Sequence, residues 1–208
     1  MTFMRALAVI LLSGVVAPAS LPAQGQQAQG TPMTFFLTSA GPGRGANLAG
    51  TRTWRAYLSE NGSAGHPTRH ARDRVGTGPW HNAKGVLIAA SIAELHSDKN
   101  NLTKQTALNE RGEVISGRGE MPNRHDVLTG SQPDGTAYPG PDSANSTCGN
   151  WVRYFPNSGK ARVGHHDRSG NDPATGSSWN SSHDSQGCSQ KELRKSGGDG
   201  LFYCFATN

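Results

Sequence analysis

Residues 118–200 constrain the fold more than any other part of the chain. Apolar residues are few there, Gly, Asn, Ser, Asp and His are many, and the stretch is punctuated by Cys148, Trp151, Tyr154, Phe155, Trp179 and Cys188. Such a segment cannot bury enough apolar surface to offset the entropy of ordering it, so a disulfide, a bound ion or sparse aromatic anchors must pin it. The elements it packs against lie on either side. Residues 33–38 (MTFFLT), between Pro32 and Gly41, read as a strand entering a Gly-Pro-Gly turn, and residues 201–206 (LFYCFA) read as a compact apolar strand. Trp54, Tyr57 and Leu58, at spacings of three and four, fit a short helix or a strand equally. The apolar run 86–90, continued by Ile92 and Leu95, predicts a strand passing into a short helix. The turn letters NERG at 109–112 predict a hairpin over 101–117.

With 208 residues, 34% of them hydrophobic, the chain has material for one modest domain. Its 27 glycines and 12 prolines make that domain loop-rich without reaching the composition of low-complexity disorder. The formal charge of +5 comes from scattered Arg and Lys, with no run of five or more like charges. This balance favours acidic partners slightly and gives no reason to expect nucleic-acid binding.

Residues 1–23 read as a secretory signal: Arg5, an apolar stretch from 6 to 12 continuing through Val15 and Val16, then small residues ending near Ala19 or Ala23. The apolar run is too short to span a bilayer. The expected product has a flexible polar tail at 24–32 and a domain at 33–208, secreted, periplasmic or at the cell surface, with no membrane span after cleavage. In an oxidising compartment Cys148, Cys188 and Cys204 become disulfide candidates. They contain no Cys-x-x-Cys pair, so one bridge and one leftover thiol are expected.

Gly130 to Gly135 (GSQPDG), Cys148 followed by Trp151, Trp179-Asn180, and then Cys188 and Cys204, in that order, resemble the C-type lectin-like fold. The resemblance is closer to the endostatin-like branch and to secreted bacterial proteins labelled lectins. It is carried by GPGRG at 41–45, TWRAYLS at 53–59, ARDRVGTGPW at 71–80, VGHHDR at 163–168, SWNSSH at 178–183 and GCSQ at 187–190. It implies an α+β domain with a small mixed sheet and a long loop region. It also implies a Cys148–Cys188 disulfide and non-catalytic carbohydrate binding. The helix and cysteine that family members place before the TWRAYLS segment are missing at 47–53, which leaves Cys204 as an unpaired thiol. By the same resemblance Gln132, Asp134 and Asn180 supply sugar hydrogen bonds, and Asp134 and Asn180 supply calcium ligands. Ser181 stands where the family has an acidic ligand, so Asp142, Asp172 or Asp184 would have to complete a calcium site. Without one, residues 132–135 serve as a tight Pro-Asp-Gly turn. Trp179 is either an apolar face for a sugar ring or a core anchor. The alternative function is a structural or surface-interaction domain that has lost sugar and calcium binding.

Three other groups call for a reading. His165, His166 and Asp167, with His183, invite zinc. Adjacent residues on a strand point to opposite faces, however, which favours hydrogen-bonded histidines with one ring buried and one exposed. Arg69, Arg72 and Arg74, near His66 and His70, form either a solvated loop or a face for an acidic polysaccharide, whose binding would weaken with salt. The glycines at 41–45 are followed by no βαβ unit and read as a turn. No Gly-x-Ser-x-Gly elbow is present, and Cys188 near His183 makes no triad, so no enzyme is expected.

Overall fold

A strand of nine residues near the end of the sequence organises the domain. In the computed structural model, which describes residues 31–39, 52–63, 65–138, 146–172 and 174–207, this strand runs Gly198–Ala206. It is the last of eight: β1 Phe35–Leu37, β2 Trp54–Ala56, β3 Trp80–His81, β4 Leu87–Ala89, β5 Asp126–Leu128, β6 Arg162–His165, β7 His183–Asp184 and β8. β1 and β2 both pair antiparallel with the C-terminal half of β8, so they occupy its two opposite edges. β5 runs parallel to the first half of β8, and β6 and β7 extend the sheet antiparallel, giving the order β1-β8-β5-β6-β7 with β2 beside β8. β3 and β4 form a separate two-stranded ribbon. The helices are short: α1 Ala71–Arg74, α2 Ile92–Leu95 and α3 Gln190–Ser196. The domain is therefore α+β with a small mixed sheet, and no described helix is long and apolar enough to cross a membrane.

Period-two alternation along β8 divides the interior in two. Leu201, Tyr203 and Phe205 face the larger core, where they meet Phe35, Tyr57, Trp80, Ile88, Leu95 and Trp179. The Phe205 ring lies 5.0 Å from Phe35 and 5.2 Å from Trp80, within the range of favourable aromatic pairs. Phe202 faces a smaller cluster of Leu128, Val163, Leu193 and the two half-cystines. Cys148 and Cys188 are bridged, with their Cα atoms 5.7 Å apart. Cys204 is a free, buried thiol that burial pushes up to about 12. Residues Cys148–Trp151 wind through four successive left-handed positions, three of them non-glycine. That strained turn is held by the disulfide, by a reciprocal pair of hydrogen bonds between Asn150 and the Asn61 backbone, and by Trp151 Nε1 donating to Ser59 O at 2.9 Å.

The expected strands at 33–38 and 201–206 are present as β1 and β8, and the strand-to-helix passage is β4 followed by α2. The ambiguous segment at 53–60 is a strand over Trp54–Ala56, because β8 offers it a free edge. The 109–112 turn closes a minimal hairpin with one bridge, Leu108 to Val114. The proposed signal at 1–23, the tail at 24–30, the 41–45 glycines, most of the 47–53 junction and Asp142 lie outside the described residues.

Candidate functional site

Three neighbouring strands carry the only described cluster of His, Cys, Asp or Glu with metal-ligand spacing. In the β5–β6 ladder Asp126 stands directly opposite His165, so their side chains share one face of the sheet. His125 precedes Asp126, and His183 opens β7 beside β6. Three imidazoles thereby meet one carboxylate oxygen. Asp126 Oδ1 is 3.1 Å from His125 Nε2, 3.2 Å from His165 Nε2 and 3.4 Å from His183 Nε2. The His125 and His165 rings stack with centroids 4.1 Å apart, and His183 meets His165 edge-on at 4.9 Å. Asp126, His125 and His165 are buried, whereas the His183 side chain is 42% exposed.

The far side of two rings is hydrogen-bonded. His165 Nδ1 lies 2.8 Å from Gly176 O and His183 Nδ1 3.0 Å from Asp184 O, whereas His125 Nδ1, 3.5 Å from Asp167 Oδ1, is buried without a hydrogen-bond partner. Asp126 Oδ1 and Oδ2 and His165 Nε2 are buried without a hydrogen-bond partner, since the short contacts among them lack hydrogen-bond geometry. Burial pushes the Asp126 carboxyl up, but His165 and His183 outweigh it and hold it below the usual range. Asp126 in turn raises His183. Burial pushes the Asp167 carboxyl up as well, but nearby His125 and the Arg118 and Ser169 backbone N–H groups that its oxygens accept from outweigh it and hold it well below the carboxylate range. A cleft of about 390 Å³ opens over the cluster, lined by Arg118, Asn123, Asn171, Asp172, Thr175 and Ser182 together with the histidines.

The expectation of one buried and one exposed ring at 165 and 166 is corrected: both are buried. They do diverge, His165 into the cluster and His166 toward Ser116 O at 3.3 Å, but packed structure covers both directions. Burial pushes the His166 imidazole from 6.5 down to about 4. Between those values the unfolded chain binds a proton that the folded chain refuses, so this group removes stability as pH falls. The loss amounts to about 3 kcal/mol by pH 4. His183, with its raised value, contributes in the opposite sense, its stabilisation being lost as pH rises. Urea unfolding at pH 7 and pH 4.5 is therefore expected to show a shallower pH dependence in His166→Gln than in the parent. An equal dependence in the two proteins would contradict this assignment.

The other predicted site residues lie elsewhere. Gln132 to Gly135 forms a tight turn, closed by Gly135 N donating to Gln132 O at 2.9 Å. Gln132 Nε2 donates to Thr136 Oγ1 and Ala137 O, and Asp134 Oδ1 accepts from the backbone and hydroxyl of Thr136. Asn180 is buried, its Nδ2 within 3.1 Å of Tyr57 Oη, Gln132 O and Pro133 O, and its Oδ1 accepts from Ser178 Oγ. These side chains tie the turn to the Trp-Asn segment through bonds within the protein. Trp179 is 3% exposed and packs between Tyr57, His96 and Tyr203, which makes it a core anchor with no open face for a sugar ring. Asp172 caps its own turn and Asp184 faces Arg162. Arg69 and Arg74 pair with Glu60, and Arg72 lies beside Asp134, so the basic loop carries its own counter-charges.

Sequence reasoning missed His125 and Asp126. Their signal is the His-Asp pair at the entry to a short apolar strand in NRHDVL, residues 123–128. Comparison of the chain with protein-family models, with curated proteins and with solved structures finds no match.

Proposed function

We propose that this chain is an exported, non-catalytic recognition domain of the C-type lectin-like, endostatin-like kind, and that it takes a carbohydrate or glycoconjugate in the cleft over His125, His165 and His183. The observation that carries this reading is the cleft's lining. Amide, hydroxyl, carboxylate, guanidinium and imidazole groups surround an open volume of about 390 Å³, a donor and acceptor set suited to a polyhydroxylated ligand. Supporting it are the Cys148–Cys188 bridge across the loop-rich segment and the Asn180 amide closed on the Gln132–Pro133 carbonyls. In this reading Gln132, Asp134 and Asn180 build the loop, and the hydroxyl contacts come from the Asn171 amide and from Thr175 Oγ1, which can still accept while it donates to Asp172. Calcium at Asp134 and Asn180 is not part of it, because Asp134 Oδ1 and Asn180 Oδ1 are both engaged by neighbouring hydroxyls.

The test is a panel of immobilised neutral and acidic glycans probed with the parent and with Asn171→Ala and Thr175→Ala. Retention of at least one neutral glycan, weakened about fivefold by each substitution, is the expected result, since a hydrogen bond contributes about 1 kcal/mol. Retention of acidic polysaccharide alone, lost on adding salt, would favour the surface-interaction alternative. No retention, or retention indifferent to both substitutions, would remove the cleft from consideration.

A further inference from the structure

The three histidines that line the cleft and the buried Asp126 they meet are arranged as ligands, and we propose that His125, Asp126, His165 and His183 hold one zinc ion. The assignment concerns the same cleft but does not rest on a sugar occupying it.

Its first support is geometric. Zinc takes imidazole nitrogen at about 2.0–2.1 Å and carboxylate oxygen at about 2.0–2.2 Å in a tetrahedron, so neighbouring ligand atoms stand about 3.3 Å apart. The three nitrogen-to-oxygen separations here are 3.1, 3.2 and 3.4 Å. The donor atoms of the buried three, His125, Asp126 and His165, all lie within 4.8 Å of one another. His183 reaches the same oxygen from the exposed side and completes the set at the cleft mouth.

The second support is the unmet bonding at the centre. Both Asp126 oxygens and His165 Nε2 are buried without a hydrogen-bond partner. Proteins leave few such atoms, and three in one place mark a missing partner. Protons alone are a poor one, because none of the three contacts to Asp126 Oδ1 has hydrogen-bond geometry. A cation seated between the rings and the carboxylate satisfies all of them at once.

The outer contacts are the third. The Gly176 and Asp184 carbonyls accept from Nδ1 of His165 and His183, which places the Nδ1–H tautomer on each ring and leaves Nε2 as a lone pair facing inward. Metal-binding histidines are oriented in this way by carbonyls and carboxylates. Asp167 Oδ1 stands behind His125 at 3.5 Å from its Nδ1, an approach without hydrogen-bond geometry. Three nitrogen donors and one oxygen favour zinc over calcium or magnesium, which prefer all-oxygen shells. His166 takes no part, since its ring turns toward Ser116.

The experiment uses the whole chain, prepared without a histidine tag, stripped with chelator and then titrated with zinc alone. The expected result is one equivalent bound and a raised melting temperature, with cobalt giving the intense visible bands of a tetrahedral site. His183→Ala, a half-exposed position whose loss the fold should tolerate, is expected to weaken zinc at least tenfold. Asp126→Ala and His165→Ala are expected to weaken it at least a hundredfold. Acidification should release the ion as protons compete for the ligands. Less than a tenth of an equivalent of zinc in the parent, with no thermal shift, would overturn the proposal. So would octahedral cobalt spectra, or affinity unchanged in a folded His183→Ala protein. The glycan panel run with and without zinc reads the sugar question separately, so a failed panel leaves a positive titration standing.

Discussion

Replacing Gly164 with alanine is expected to leave little folded protein. A Cβ at this position would stand 1.9 Å from Trp179 O, 2.2 Å from Trp179 C and 2.4 Å from Asn180 N. All three are backbone atoms, so no side-chain rotation relieves the clash. The crowding has a purpose in the architecture. Gly164 lies on β6 opposite Val127, one residue before His165, and its bare Cα lets the 179–180 segment lie directly against the strand. That approach seats Trp179 in the core and Asn180 on the Gln132–Pro133 turn. Prising the two apart would disturb the core, the turn and the histidine cluster together, at a cost of about 4 kcal/mol or more, the range of the most damaging single substitutions. Urea unfolding and soluble yield measure it. A Gly164→Ala protein within about 1 kcal/mol of the parent would show that the segment yields without penalty.

Removing the disulfide has the next largest effect. Cys148 and Cys188 close a loop of sequence separation 40, for which chain entropy gives about 3–4 kcal/mol of stabilisation. The bridge also anchors the left-handed turn at 148–151 and the smaller core, so the double substitution Cys148→Ser, Cys188→Ser adds local losses to the entropic one. Both cysteines are replaced so that no stray thiol remains besides Cys204. A lowering of the urea midpoint that accounts for about 3 kcal/mol or more is expected. A midpoint equal to the parent's would mean that hydrogen bonds through Asn61, Asn150 and Ser59 suffice to hold the loop.

How much of this was legible in the sequence depends on how far apart the interacting residues lie. β1, β4 with α2, and β8 declare themselves locally, through aromatic or apolar runs bounded by turn residues. The Ser189-x-x-Glu192 letters also announce α3, whose capping box is complete in the structure, although a reading dominated by the polar composition of 118–200 passes over them. The histidine cluster is different. His125 and Asp126 carry no spacing signal toward His165 or His183, and only the β5–β6–β7 register brings them together. The His165-His166 expectation failed for a related reason. Strand alternation tells which residues diverge, but exposure follows only where one face meets water, and here loops cover both. The Gln132, Asp134 and Asn180 group shows the converse, since motif letters sit close in space while their polar atoms are engaged in building the loop.

The pairing of β8 also orders events during synthesis. Neither β1 nor β2 has its partner until residues 198–206 leave the ribosome, because both bind the strand that comes last among the eight. The main core, with Leu201, Tyr203 and Phe205 at its centre, is equally incomplete until then. Non-local closure of this kind slows folding, and it keeps the nascent chain from locking into its final shape early.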